Sequence, residues 1–174
     1  VRAYVAYPQV NKSVPGIVVI HENRGLNDWA RSVADQVAEA GYVAIAPDLL
    51  GGTGPEGGGT ESYVSSDAAR EGIYALALQQ VLDDLDATVA YARQLEATTE
   101  NVAVAGFCWG GGQTFRYAGH NSDITAAFVF YGKAPELEAM REAANRCQPY
   151  GLGRWRQCMS EQIGLELTIR RPCR

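Results

Sequence analysis

The apolar and polar positions of this chain change their period several times, and each change marks an element. Residues 2–7 (Arg, Ala, Tyr, Val, Ala, Tyr) alternate, as an edge strand with one solvated face does. Residues 10–15 read as a turn. The continuous apolar run 16–20 (Gly, Ile, Val, Val, Ile) has the pattern of a strand covered on both faces of a parallel sheet. A helical period follows at Trp29, Val33, Val37 and Ala40, with Asn27 placed as N-cap and Gly41 as the stop. Residues 42–46 are a second buried strand, closed by Pro47 and Asp48. Strand, helix and strand in this order predict a right-handed crossover.

Farther along, 51–59 is glycine-rich, and two helical stretches are predicted over about 67–78 and 80–94. Val81, Leu85, Val89 and Ala92 share one face of the second, while Asp83, Asp84 and Asp86 are assigned to a solvated one. A short strand at 102–105, a helix from about 109 to 119, and a buried strand at 126–130 complete the pattern. Alternating strands and helices predict an α/β fold built on a doubly wound, mostly parallel sheet.

Composition changes this picture only near the end of the chain. The 174 residues carry a formal charge of −5 and are 47% hydrophobic, as expected of one ordinary globular domain. The acidic balance argues against nucleic acid or an anionic membrane surface as partner. No apolar run approaches the ~20 residues that span a bilayer. No signal peptide is visible, so a cytoplasmic location is expected. Val1 opens directly on a strand, however, which leaves room for a natural N-terminus and a leader upstream, and with them for a periplasmic or secreted form. Through Met140 there are 8 basic against 17 acidic residues; from Arg141 onward there are 7 Arg, no Lys and 3 Glu. Three of the four cysteines (Cys147, Cys158 and Cys173) lie in this last part, where apolar periodicity survives only at 165–169. Residues 1–140 are therefore expected to form the core, and 141–174 an atypical Arg- and Cys-rich tail. The cysteines lack the paired spacing of a zinc site, and neither a metal nor a cofactor is predicted.

The chemistry concentrates at Gly106-Phe107-Cys108-Trp109-Gly110. This G-x-C-x-G between a strand and a helix is the nucleophile-elbow pattern with Cys in place of Ser. A tight strand-to-helix turn forces the central residue into a strained backbone region, and small neighbours keep it from clashing. The helix N-terminus offers unpaired N–H groups and a positive dipole, which favour a thiolate and a developing oxyanion. The competing reading is a buried structural cysteine. Gly51 to Gly59 lacks the Lys-Ser/Thr sequel of a phosphate loop and reads as a mobile lid or surface loop. His21 lies close to the elbow in the predicted fold, but one residue from Glu22 on an alternating strand end it points the other way and reads as structural.

His21-Glu-Asn-Arg-Gly-Leu26, Ala46-Pro-Asp-Leu49 and Gly106-Phe-Cys-Trp-Gly-Gly-Gly112 occur in the order and at the spacing of the dienelactone hydrolase (carboxymethylenebutenolidase) family, and residues 1 to about 135 resemble it. The resemblance implies the α/β-hydrolase fold and cleavage of a small anionic enol-lactone or ester by a cysteine nucleophile. Cys108 matches that nucleophile, and Glu22 matches the carboxylate that holds the resting thiol and helps to ionise it. The backbone N–H groups of Asn23 and Trp109 match the oxyanion hole. Arg70 matches the arginine that binds the substrate carboxylate, with Tyr74 beside it.

The family's triad Asp and His, each on a loop after a later strand, have no counterpart here. Downstream of Cys108 stand only His120 and Asp123. His120, twelve residues along the elbow helix, is expected roughly 18 Å from Cys108 at 1.5 Å per residue, beyond the reach of a base. The later strands of the fold are thus expected to be missing. A lost reading frame in a high-GC gene would produce such a tail; a divergent natural tail is the competing account. An unpaired sheet edge and exposed apolar surface would follow, with poor solubility or self-association. Three function classes remain: a dienelactone hydrolase-type enzyme, a catalytically silent hydrolase-fold binder of a ligand or partner, and a thiol redox protein. The third is weakest, because no resolving Cys is close in sequence.

Overall fold

The computed structural model describes residues 1–136. The strands are β1 (Arg2–Ala6), β2 (Val14–Ile20), β3 (Val43–Asp48), β4 (Thr98–Phe107) and β5 (Ala126–Phe130). The helices are α1 (Asp28–Glu39), α2 (Ser66–Ala75), α3 (Leu78–Gln94) and α4 (Trp109–His120). The sheet order is β1-β3-β2-β4-β5; β1 runs antiparallel to β3, and the other neighbours are parallel. The chain therefore steps from β2 to β3 in one direction and from β4 to β5 in the other. Open α/β sheets place their sites at such a reversal, outside the strands' carboxyl ends.

Strand boundaries shift where packing outweighs local sequence. β2 begins at Val14, inside the stretch expected to be a turn, because Val14 pairs with Thr98 before a register shift leads to Gly16 opposite Val102. Pro15, which has no N–H to donate, sits at that irregularity. β4 likewise extends back to Thr98, well before residue 102.

The two faces of the sheet are covered differently. Val81, Leu85, Val89 and Ala92 of α3 are buried as their spacing predicts, against Val18, Ile20, Ile45, Val102 and Val104. On the opposite face α1 is turned by about one residue from its expected orientation. Ala30, Ala34 and Ala38 are the buried stripe, Val33 and Val37 are half-buried on its shoulder, and Trp29 is 40% exposed. Small side chains let the helix axis come close to the strands, so the alanines win the contact. Asn27 does cap this helix, its side chain accepting from the Ala30 N–H at 3.0 Å. Beside α1 a groove of about 350 Å³ opens over Ile17, Val19, Ala105, Phe107, Phe128 and Phe130. Among the described residues β5 is an edge strand. The strand expected at 165–169, the three later cysteines and the tail from residue 141 lie outside the described residues.

The glycine-rich loop, expected as a mobile lid or surface loop, is tied at its far end to the sheet. Buried Asp48 accepts from the Thr60 N–H at 2.8 Å and from the Thr60 hydroxyl at 2.7 Å, and that hydroxyl oxygen in turn accepts from the Leu26 N–H at 2.9 Å. One threonine thus straps the loop to the end of β3 and braces the segment that follows β2.

Candidate active site

Ile20 of β2 pairs with Gly106 of β4, and Phe107 of β4 pairs with Phe130 of β5. Three adjacent strands therefore end side by side and deliver Glu22, Cys108 and Tyr131 to the same edge of the sheet. Cys108 joins β4 to α4 with φ 53° and ψ −115°, a conformation costly for any side-chain-bearing residue and typically worth about 1–3 kcal/mol of strain. Its backbone N–H donates to the Phe130 carbonyl at 3.0 Å, and its carbonyl accepts from Gly112 at 3.2 Å. The turn is thus tied to both flanking elements, and the thiol is left free and half-buried.

The glycines of the motif are required by contact. A Cβ on Gly110 would lie 2.5 Å from the Ile20 carbonyl oxygen and closer still to that of His21. A Cβ on Gly106 would overlap the Gly110 carbonyl. A Cβ on Gly111 would stand 2.8 Å from both the Gly132 Cα and the Phe130 carbonyl oxygen. The start of α4 is thereby pressed between the ends of β2 and β5.

His21 is structural, as its place on the strand predicts. It is fully buried and stacks on Trp109 with ring centroids 5.9 Å apart. Its Nε2 accepts from the Leu49 N–H at 3.3 Å, which leaves Nδ1 as the protonated nitrogen, donating to the Glu22 carbonyl at 2.8 Å. Burial pushes its pKa down and keeps the ring neutral. Trp109 packs against the core through its ring. Its N–H, first in α4, and that of Asn23 have no acceptor among the described residues.

The Glu22 side chain accepts a hydrogen bond from the Tyr131 hydroxyl at 2.7 Å; among the described residues none joins it to the thiol. Next to it, the Asn23 side-chain amide donates to the Tyr74 hydroxyl at 3.3 Å. The loop after β2 is thus held by a tyrosine on either side. Tyr131 itself has φ 41°. Burial raises its pKa above the usual phenol range, reinforced by the bond to Glu22 and by the charges of Glu22 and Cys108. Arg70 is exposed one turn before Tyr74 on α2 and has no ion-pair partner among the described residues, whereas Arg24 is engaged by the Ser66 hydroxyl and by Asp67 at 3.6 Å.

Tyr131 was not among the predicted site residues. Its only trace in the sequence is its place directly after an apolar strand and before Gly132, whose Cβ would overlap the backbone of Gly111 and Gly112. His120 and Asp123 stand apart from the thiol, as expected. His120, the last residue of α4, meets Asp86 at 2.8 Å, and Asp123 lies 3.9 Å from Arg93. Asp86 corrects the solvated assignment: it is half-buried and also accepts from Tyr117 at 2.8 Å and Asn121 at 2.9 Å. Its position on α3 places it beside the last turn of α4. Among the described residues no three His, Cys, Asp or Glu side chains are grouped to hold a metal ion, and no helix is long and apolar enough to cross a membrane.

Comparison with known proteins agrees with this geometry. A protein of Methylorubrum extorquens, provisionally named a carboxymethylenebutenolidase, is 34% identical over 134 residues, 76% of this chain and 45% of that protein. A similarly named protein of Synechocystis is 35% identical over 135 residues, 76% of this chain and 54% of that one. The chain spans about half the length of the curated relatives it matches. Among solved structures, one provisionally titled a dienelactone hydrolase from Klebsiella pneumoniae superposes with a TM-score of 0.66 at 26% identity, covering 83% of this chain and 74% of that one. A dienelactone hydrolase-like promiscuous phosphotriesterase from metagenomic libraries gives 0.55 at 27% identity, covering 84% and 59%. The family model described as "Dienelactone hydrolase family" matches residues 1–149. With the α/β-hydrolase sheet order and a strained cysteine at its elbow, the chain belongs to the dienelactone hydrolase family.

Proposed function

We propose that this chain carries the nucleophile side of a hydrolase that cleaves a small anionic ester or lactone through Cys108. The observation that supports this most is the backbone of Cys108, held at φ 53° at the reversal point of the sheet with its thiol free. The thiolate attacks the substrate carbonyl carbon. The resulting oxyanion is received by the N–H groups of Asn23 and Trp109. The C–O bond to the leaving oxygen then breaks with its electron pair, solvent supplies the proton, and a thioester remains on Cys108. Glu22 is the carboxylate beside the thiol: its charge holds the resting Cys108 as the neutral thiol, and it takes up the thiol proton when substrate arrives. Arg70 supplies the cation for the substrate carboxylate, with Tyr74 alongside.

A second reading, a hydrolase-fold protein that acylates or binds without turnover, is favoured by the histidines. The 174 residues contain two. One is buried with both ring nitrogens engaged, and the other is paired with Asp86. Without an imidazole at the thiol, leaving-group protonation and water activation are slower by several powers of ten.

An activated aryl ester mixed with the full chain separates the readings. Cys108 is expected to be acylated stoichiometrically, with release of the phenol as a burst and slow hydrolysis of the thioester afterwards. Cys108→Ala is expected to abolish the burst. Absence of acylation at Cys108 in the unaltered protein would overturn the hydrolase reading, and sustained turnover would dismiss the silent one.

A further inference from the structure

Tyr131 lies in a place the reaction as described does not use. Its hydroxyl donates to Glu22 Oε1 at 2.7 Å across 109 residues of sequence. It reaches there because the backbone is constrained on both sides of it. Phe130 accepts the Cys108 N–H, Gly132 packs against Gly111 and Gly112 without room for a Cβ, and Tyr131 between them is forced to φ 41°. The ring also contacts Phe107, edge to face at 6.3 Å. Yet Tyr131 is 68% exposed, so core burial does not explain why a strained position carries so large a residue. What the strain accomplishes is to aim a hydroxyl at the carboxylate beside the nucleophile.

We propose that Tyr131 is a positioning residue that fixes the Glu22 carboxylate on the β5 side of the nucleophile and takes up part of its charge, so that the Cys108 thiol ionises more readily. The inference rests on the reading of Cys108 and Glu22 given above. A hydroxyl donor shared with a carboxylate draws charge density away from the neighbouring thiolate. Without that donor the carboxylate is free to turn, and its full negative charge opposes ionisation of the thiol. The raised pKa of Tyr131 keeps the phenol protonated, and so a donor, at neutral pH. Apart from two exposed cations, the other groups near this edge are engaged or neutral. His21 is uncharged and hydrogen-bonded, Arg24 is occupied by Ser66 and Asp67, Asn23 is bound to Tyr74, and Lys133 and Arg70 are exposed cations.

The test is the pH dependence of Cys108 alkylation by iodoacetamide in the full-length chain, followed by mass spectrometry on the peptide that contains Cys108. It is measured for the unaltered protein, Tyr131→Phe, Glu22→Gln and the double variant. Tyr131→Phe is expected to raise the midpoint of alkylation and to slow the reaction at neutral pH roughly threefold to tenfold. Glu22→Gln is expected to lower the midpoint. In the E22Q background, Y131F should change the rate less than about twofold, because the two groups act as one unit. Equal slowing in both backgrounds would show that the ring acts only through packing and would overturn the proposal. So would an unchanged midpoint in Y131F. Alkylation needs only a thiolate, so the result stands apart from ester cleavage: failure of acylation with a coupled alkylation cycle would remove the hydrolase reading and keep the Tyr131–Glu22 unit.

Discussion

Two clusters in this molecule contain nearly the same side chains and are built for different ends. At the strand ends stand Glu22, Tyr131 and Cys108; between α3 and the last turn of α4 stand Asp86, Tyr117, His120 and Asn121. The second has more hydrogen bonds, among them the His120 to Asp86 contact at 2.8 Å, and by residue type alone it looks more like an acid–base pair. Its residues nevertheless sit on regular helix or at a helix cap, no cysteine or serine is among them, and Asp86 is hydrogen-bonded to each of the other three. In the first, two of the three residues have positive φ and the thiol has no hydrogen-bond partner among the described residues. Satisfied polar groups on relaxed backbone join elements together. Strained backbone presenting an unsatisfied group is the arrangement in which chemistry is found.

The largest effect expected on this contrast comes from Gly110→Ala. The added methyl would meet the backbone carbonyls at the end of β2, which costs about 1–3 kcal/mol or more as overpacking. It would also displace Glu22 and Asn23 from the elbow, so acylation of Cys108 should fall on the order of a hundredfold. Chemical denaturation and the burst assay together measure both losses. A variant of normal stability and normal burst would show that the elbow has slack.

Asp86→Ala should do the reverse. It leaves the buried Tyr117 hydroxyl without its carboxylate acceptor, at a cost of about 1–2 kcal/mol after allowance for the exposure of Asp86. The burst at Cys108 should remain within about twofold of normal. If the burst fell together with stability, the two clusters would be energetically coupled and the contrast would fail.

The smallest effect is a separation in pH. His21 has a pKa lowered by burial, so the unfolded chain binds its proton first; stability should begin to fall as pH drops below about 6.5. For Asp86, desolvation works upward, but the hydrogen bonds from His120, Asn121 and Tyr117 outweigh it, and the net pKa is lowered. Its contribution is therefore present above the ordinary aspartate value and lost as pH falls from about 4 downward. Denaturation midpoints measured between pH 3 and 8 should show both limbs, and Asp86→Asn should flatten only the lower one.

How much of the site was readable follows from how far apart its parts lie along the chain. Cys108 was legible because the small residues its turn demands stand within two or three positions of it. Glu22 was legible through the motif around it. Tyr131 was not, because its role depends on the pairing of β5 with β4 and on the packing of Gly132 against α4, neither of which leaves a local pattern. The same limit explains Asp86, whose partners are 31 to 35 residues away, and Thr60, which turns a glycine-rich loop into a brace.

The sequence by itself determined the order of strands and helices, the α/β class and the elbow, since periodicity and turn chemistry act over a few residues, and its three motifs carried the family resemblance. Tertiary structure alone decided which stripe of α1 faces the sheet, which aspartate is bound rather than solvated, and which tyrosine meets Glu22. The physical reason is range. Backbone preference and hydrophobic period are set by neighbours in the chain, whereas hydrogen-bond partners and close contacts are set by whatever the packed sheet brings within about 3 Å.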